Sequence, residues 1–181
     1  MMRKVLPSLA LLVLAGCAST PSIQYFTLNM TPAGTPGGVN IVVDDLRVSE
    51  AVTRKDIMIK TSPTEVEYYA TAQWVASLSE LVAEKLQAEF GPAAGEGPVL
   101  LLSGRLLAFE QVDVNGGAQA HLKLAVTLAD SGASRSEPPL LEKAYVVREP
   151  ADAAAPGAVV RALSACVEQA AARIQADAAA L

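Results

Sequence analysis

Few side chains in this sequence could act as nucleophiles, general bases or metal ligands. His121 is the only histidine, and the two cysteines are Cys17 and Cys166. A histidine-based metal site or a serine–histidine–acid triad would therefore lack its partners. Asp44 and Asp45 are adjacent, but neighbours in a strand point to opposite faces, so they are not expected to share a proton. These residues predict neither an enzyme nor a metal site.

Two of these side chains fit structural roles instead. His121 lies on the polar phase of an alternating segment, which predicts a solvated histidine on a strand. Cys166 lies on the apolar stripe of the last expected helix, which predicts a buried and unreactive thiol. For the Asp44-Asp45 pair we expect a position in a turn or at the end of a strand.

The first sixteen residues have the composition of an export signal. Arg3 and Lys4 form a short basic start, and an apolar run covers residues 6–15. A membrane-spanning helix needs about 20 apolar residues, and this run has about half as many. Small residues and then a cysteine follow, which is typical of a cleaved signal peptide. We expect residues 1–16 to be removed.

The cleavage site indicates a modification. Ala15 and Gly16 are the small residues before the cut, and Cys17 follows them directly. Together with Leu14 they resemble the lipobox of bacterial lipoproteins. The resemblance implies a diacylglycerol on the Cys17 sulfur and an acylated amino group, which supply the several chains that stable anchoring requires. Ala18, where an aspartate would favour the inner membrane, implies the outer membrane. This covalent lipid is the only attached group we expect.

The charge balance argues against two classes of partner. Of 14 basic residues, Arg3 and Lys4 lie in the signal, so 12 basic residues face 19 acidic ones in the mature chain. Nucleic-acid binding calls for a clustered basic face, so we expect no nucleic-acid partner. An acidic surface also does not adhere to anionic lipids, so the attached lipid must provide the anchoring.

Residues 17–22 form a short lipidated tether, and residues 23–181 have the pattern of one α+β domain. We expect a largely antiparallel β-sheet with two helices packed on one face. Strands are expected at residues 23–28, 39–43, 57–60, 65–69, 99–114, 120–129 and 140–148. One helix is expected at residues 71–90 and another past Pro156-Gly157, with residues 176–181 frayed.

The stretch between Arg54 and Trp74 has the composition of an interface. It combines Arg54 with Tyr68, Tyr69 and Trp74, and aromatic residues with a nearby arginine are typical anchors of protein contacts. We treat these four residues as candidates for binding a partner. The alternative is that Trp74 and one tyrosine belong to the core while the charges are solvated.

The order of motifs resembles the ABC-type transport auxiliary lipoprotein family. A lipobox is followed by Tyr25-Phe26-Thr27-Leu28, Arg54-Lys55-Asp56-Ile57, Glu67-Tyr68-Tyr69 with Trp74, and Gly104-Arg105-Leu106-Leu107-Ala108-Phe109-Glu110. The resemblance covers nearly the whole mature chain. It implies an outer-membrane lipoprotein that docks a transport complex through a subunit with a mammalian-cell-entry domain. Such complexes move lipids or other hydrophobic molecules between the two membranes.

A second hypothesis is a periplasmic lipid carrier with its own apolar pocket between sheet and helices. Leu101, Leu107 and Phe109 are expected on the face of their strand opposite Leu100, Leu102 and Leu106, which would supply extra apolar surface. The resemblance brings no catalytic residues, and whether copies of the chain associate is left open.

Overall fold

A computed structural model describes residues 21–33, 39–92, 97–114, 116–134 and 136–181. The expected signal peptide with Ala15 and Gly16, and Cys17 with Ala18, lie outside these residues and stay predictions. Within the described ranges, no helix has both the length and the apolar character needed to cross a membrane.

The described residues form seven strands and two helices. The strands are β1 (Gln24–Phe26), β2 (Asn40–Val48), β3 (Asp56–Lys60), β4 (Val66–Trp74), β5 (Val99–Val114), β6 (Gly117–Asp130) and β7 (Leu141–Ala151). The helices are α1 (Leu78–Phe90) and α2 (Pro156–Ala178), and a 3-10 turn at Glu50–Val52 joins β2 to β3.

All strands belong to one sheet in the order β1-β4-β3-β5-β6-β7, and β2 also pairs with β5. Because β6 covers one side of β5, β2 and β3 lie end to end along its other side. The β3–β4, β5–β6 and β6–β7 pairs are antiparallel, whereas β1–β4, β2–β5 and β3–β5 are parallel. The sheet is mostly antiparallel, and the predicted single-domain α+β fold is confirmed.

A bulge changes the face to which the middle of β5 points. The pairing with β6 shifts between Leu106 and Ala108, which leaves Leu107 as the extra residue. Beyond it Phe109 lies opposite Leu122, and both are fully buried. The expectation that Phe109 lies on the face opposite Leu106 is therefore wrong, because a bulge reverses the alternation that follows it.

A second bulge lies in β2, where the pairing with β5 shifts between Val43 and Asp45. Asp44 is the exposed extra residue, and β2 continues to Val48. The expected strand end near Asp44-Asp45 is thus wrong. Asp45 instead accepts a hydrogen bond from Arg47 Nε at 2.8 Å, so the two carboxylates do not act as a pair.

Helix α1 begins seven residues later than expected. Ser77 caps it, because its hydroxyl oxygen accepts from the Glu80 backbone N–H at 3.3 Å. Ser77 and Glu80 are spaced as in a capping box, which marks a helix start. Residues 72–74, which were expected in the helix, belong to β4 instead, because β1 pairs with them in parallel. Gly91, with φ at 76°, ends the helix as predicted.

Both helices cover one side of the sheet. The side chains between α2 and the β5–β6 part of the sheet are closely packed. Those that are fully buried include Leu102, Leu106, Leu122, Leu124, Leu128, Leu163, Cys166 and Ile174. Alternation along β6 directs its even-numbered residues to the helices and its odd-numbered ones to the other face, which no described helix covers and which we call the uncovered face. The predicted half-buried strand is confirmed.

Candidate functional site

Arg54 is held in a fixed position beside β3 and β4. Its guanidinium carbon lies 4.2 Å from the centre of the Tyr68 ring, and its Nη2 donates to Asp56 Oδ2 at 3.0 Å. Gln73 Nε2 donates to the other oxygen of Asp56 at 2.9 Å. We call Arg54, Asp56, Tyr68 and Gln73 the Arg54 cluster. The hydrogen bond from Gln73 and then that from Arg54 hold the pKa of the Asp56 carboxyl below its usual range.

The Arg54 cluster presents a positive charge to solvent. The Arg54 side chain is 61% exposed although it has two partners. A stacked guanidinium loses little freedom on binding, and a cation over a tyrosine ring is a typical element of protein interfaces. This arrangement suits recognition of a carboxylate or an aromatic group on another protein.

Tyr69 does not join this cluster. Its hydroxyl donates to Gln111 Oε1 at 2.5 Å, and Gln111 Nε2 donates to Asp113 at 2.6 Å. Burial raises the pKa of the Tyr69 hydroxyl, and the nearby Asp113 charge adds to this. Tyr69 lines a separate open groove of about 630 Å³ that also includes Ile59. The two neighbouring tyrosines therefore serve different surfaces.

Trp74 belongs to the core. Its side chain is only 1% exposed, and its ring packs against Phe109 with the ring centres 5.6 Å apart. The Trp74 backbone N–H donates to the Lys55 carbonyl at 2.7 Å, which holds the segment just after Arg54. Trp74 thus helps to fix the segment that carries Arg54. Its own side chain is too buried to contact a partner.

His121 is paired rather than solvated. Its Nδ1 lies 2.9 Å from Oε1 of Glu110, directly opposite on β5, and the side chains are 14% and 5% exposed. The expectation of a solvated histidine is wrong, because the Glu110 carboxylate lies on the same face. Within the described ranges, no three His, Cys, Asp or Glu side chains are placed to hold a metal ion.

Cys166 is a buried thiol, as predicted. It is fully buried on α2, and its Sγ lies 3.9 Å from the Ala120 carbonyl oxygen. Burial raises the pKa of the thiol to about 12, with the Glu149 charge contributing. A thiol with this pKa holds little thiolate at neutral pH, so it is a poor nucleophile.

The structure contains a buried ionic group that the sequence did not predict. Lys85 is fully buried, and its Nζ contacts Glu89 at 2.5 Å and Glu168 at 2.8 Å. It also donates to the Thr31 carbonyl at 2.9 Å, while the Ala33 N–H donates to Glu89. This group fastens the segment after β1 to both helices. Its signal was the spacing of Lys85 and Glu89 four residues apart, in the helical row that begins at buried Leu81.

One apolar opening on the surface is small. A crevice of about 290 Å³ lies at the end of α2 and is lined by Val39, Leu100, Leu140, Ala178 and Leu181 among others. Sites that enclose a drug-sized molecule have volumes of about 300–1,000 Å³. A larger groove of about 560 Å³ on the uncovered sheet face is lined largely by polar and charged residues, including Arg47, Arg105 and Glu142. Neither opening has the character of an acyl-chain pocket.

Comparison with solved structures identifies the fold. The crystal structure of protein XCC0632 from Xanthomonas campestris has a TM-score of 0.68 and 17% identity, covering 84% of this chain and 92% of that chain. A crystal structure of an uncharacterized protein has a TM-score of 0.65 and 14% identity, covering 87% and 99%. At these identities the likeness shows the fold alone. No curated protein sequence matches the chain.

Comparison with protein families identifies the relationship. The model of the ABC-type transport auxiliary lipoprotein component family matches residues 26–175, from the last residue of β1 to the end region of α2. The match includes the Arg54 cluster and the buried Lys85 group. The chain belongs to the ABC-type transport auxiliary lipoprotein component family.

Proposed function

We propose that this protein is an outer-membrane lipoprotein that docks the periplasmic part of an ABC-type transport complex. Membership of the auxiliary family is the observation that carries the proposal. Acylated Cys17 is the anchor, and a subunit with a mammalian-cell-entry domain is the partner. The cargo is a lipid or another hydrophobic molecule. Confinement to a surface raises the effective concentration of the partner, so tethering itself is the mechanism.

The Arg54 cluster is the proposed docking surface. Arginine and tyrosine are enriched among residues that dominate binding energy, and here one is stacked on the other over a rigid core. Arg47 provides a matched comparison. It also pairs with an aspartate two residues away and is 70% exposed, but no aromatic ring among the described residues stacks on it. Loss of Arg54 and loss of Arg47 therefore remove similar charges from different settings.

Vesicles that carry the full acylated protein can be mixed with the purified periplasmic domain of a mammalian-cell-entry subunit from the same organism, and their binding can be measured. We expect Arg54→Ala and Tyr68→Ala to weaken binding and to raise the Kd by at least about tenfold, which is the range of interface hot spots. Arg47→Ala should leave it unchanged. Equal loss in all three variants would count against the Arg54 cluster, and no binding by the unaltered protein would overturn the docking function.

Membrane attachment has its own test. Cys17→Ser should release the protein from the membrane fraction, because no acyl chain can be attached to a serine by the same chemistry. Ala18→Asp should move acylated protein from outer-membrane to inner-membrane fractions in a density gradient. Attachment that persists in Cys17→Ser would contradict the anchor.

Sedimentation of the released protein also measures whether copies associate.

The lipid carrier is the alternative. Against it, the side chains between the sheet and the helices are fully buried and packed on each other, and Phe109 belongs to this core rather than to a second apolar face. Protein purified without its acyl chains can be extracted with solvent, and the amount of lipid bound per protein molecule can be measured. Stoichiometric lipid would favour the carrier, and its absence favours the docking protein.

A further inference from the structure

Exposed apolar side chains gather at the end of the fold where the chain enters it. Ile23 is 46% exposed, Tyr25 63% and Val75 56%. Tyr25 is level with Gln73 in the β1–β4 pair, and the Val75 N–H donates to the Phe26 carbonyl at 2.9 Å. The three side chains thus lie on adjacent chain segments. We call Ile23, Tyr25 and Val75 the entry patch.

The core does not use the entry patch. Alternate residues of a strand point to opposite faces, and Phe26 is level with buried Trp74. The Phe26 ring also lies near Gly157 at the start of α2. Ile23 and Tyr25 therefore point away from the side that packs on the helices. Solubility alone would favour polar residues at these positions.

The tether is short. Three residues separate Cys17 from Pro21, the first described residue, and four extended residues span at most about 14 Å. This step depends on the proposed anchor at Cys17. With that anchor, the β1 end of the domain cannot move far from the bilayer surface, whereas β7 lies at the opposite end of the strand order.

The segment that follows β1 is fixed, so the entry patch has a defined direction. The Asn29 N–H donates to Ser164 Oγ at 3.1 Å, and the Thr31 carbonyl accepts from buried Lys85 at 2.9 Å. Because this segment is bonded to both helices, the domain cannot easily swing away on a loosened β1. A short tether and a rigid entry point together restrict which surface faces the membrane.

We propose that the entry patch rests on the lipid bilayer that holds Cys17. A tyrosine with two aliphatic neighbours suits the boundary between headgroups and acyl chains, where amphipathic aromatic rings concentrate. The mature chain is acidic, with 12 basic and 19 acidic residues, so contact depends on apolar burial and on the acyl anchor. Tyr25 is level with Gln73 of the Arg54 cluster, so a partner docked at Arg54 would lie next to the bilayer contact while using different side chains.

The test places a fluorescent label on the full acylated protein in vesicles of phosphatidylethanolamine and phosphatidylglycerol. Ile23→Cys and Val75→Cys place the label in the entry patch. Val146→Cys on β7 is the control, since Val146 is also exposed, at 41%. Cys166 is buried and Cys17 is acylated, so only the new thiol reacts. Lipids with nitroxide-labelled acyl chains then quench any label near the bilayer.

We expect strong quenching and a blue shift at positions 23 and 75, at the depth of about 5–10 Å typical of interfacial contacts. Position 146 should show neither. Adding Tyr25→Ser should reduce the quenching at position 75. Equal signals at 75 and 146 in protein that floats with the vesicles would overturn the bilayer contact alone. Protein that fails to float would overturn both the anchor and the contact that depends on it.

Discussion

The ammonium group of Lys85 on α1 lies 2.8 Å from the carboxylate of Glu168 on α2, and Lys85 is fully buried. Glu89 and the Thr31 carbonyl complete its surroundings at 2.5 and 2.9 Å. Among the described residues the ammonium thus has three oxygen partners, each from a different segment of the chain. Removal of the lysine would leave two carboxylates facing each other in a mostly buried site.

Lys85→Met is therefore expected to lower the free energy of unfolding by about 3–5 kcal/mol, the cost of breaking a buried ion pair from one side. Urea unfolding followed by circular dichroism measures this. Arg161→Ala is the control. Arg161 faces Asp152 at 3.9 Å with both side chains largely exposed, so its loss should stay within about 0.5 kcal/mol. Similar effects of the two variants would contradict a buried role for Lys85.

Gly104 lies where three strands meet. A Cβ at this position would be 2.9 Å from Leu46 Cδ1 and 3.1 Å from the Ala125 carbonyl oxygen. Because the carbonyl cannot move freely, Gly104→Ala should destabilise the fold by about 1–3 kcal/mol, as overpacking does. Gly117→Ala offers a comparison, since a Cβ there would meet no atom within 4 Å. Thermal unfolding should separate the two variants, and equal Tm values would refute the close approach.

Trp74 is the only tryptophan in the chain, so its fluorescence reports on one site. Because the ring is buried against Phe109, we expect a blue-shifted emission that iodide does not quench until the protein unfolds. Trp74→Ala should cost about 3–5 kcal/mol of stability. Emission typical of a solvated indole in the native protein would place Trp74 on the surface instead.

Asp177 links stability to pH. Its Oδ2 accepts from Lys143 at 2.7 Å and from the Tyr145 hydroxyl at 2.6 Å. These hydrogen bonds, that from Lys143 first, lower the pKa of Asp177 from its ordinary value of 3.8. The unfolded chain therefore binds a proton more readily. The stabilisation is present above pH 3.8 and is lost as the pH falls through the lowered pKa.

Acid unfolding of Asp177→Asn should accordingly depend less on pH below 3.8 than that of the unaltered protein. Tyr145→Phe removes one of the two hydrogen bonds and should give an intermediate slope. The measurement is the unfolding free energy at a series of pH values. A slope unchanged in Asp177→Asn would show that this carboxylate does not contribute to the acid limb.

Local pattern predicts much of this fold. The bounds of β5, Val99–Val114, agree with the expected strand, because a long apolar run ends at a glycine turn in which Gly116 has φ at 80°. The pairing of β5 with β6 follows from the two-residue connection between them, whereas β6 and β7 pair across a longer connection at residues 131–140. The α+β class follows from the order of strands and helices.

Pairings between distant segments account for the misses. Residues around Trp74 fit helical spacing, but β1, nearly fifty positions earlier, pairs with them and makes them strand. The bulge at Leu107 and the Glu110 partner of His121 likewise depend on register with β6. The residue types at Arg54 and Tyr68 predicted an interface. The stacking of the two side chains could not be predicted, because it depends on the pairing of β3 with β4.

The arrangement of β2 and β3 along β5 has a consequence for how the protein is made. Ile41 pairs with Leu100, and Ile59 pairs with Gln111. During synthesis these early strands have no neighbour on that side until β5 has emerged, and contacts of this separation slow folding. A fragment that stops before β5 would leave the β2 and β3 edges without the partner they have in the complete fold. Residues from Asn40 to at least Val114 must therefore be present together before this half of the sheet can form.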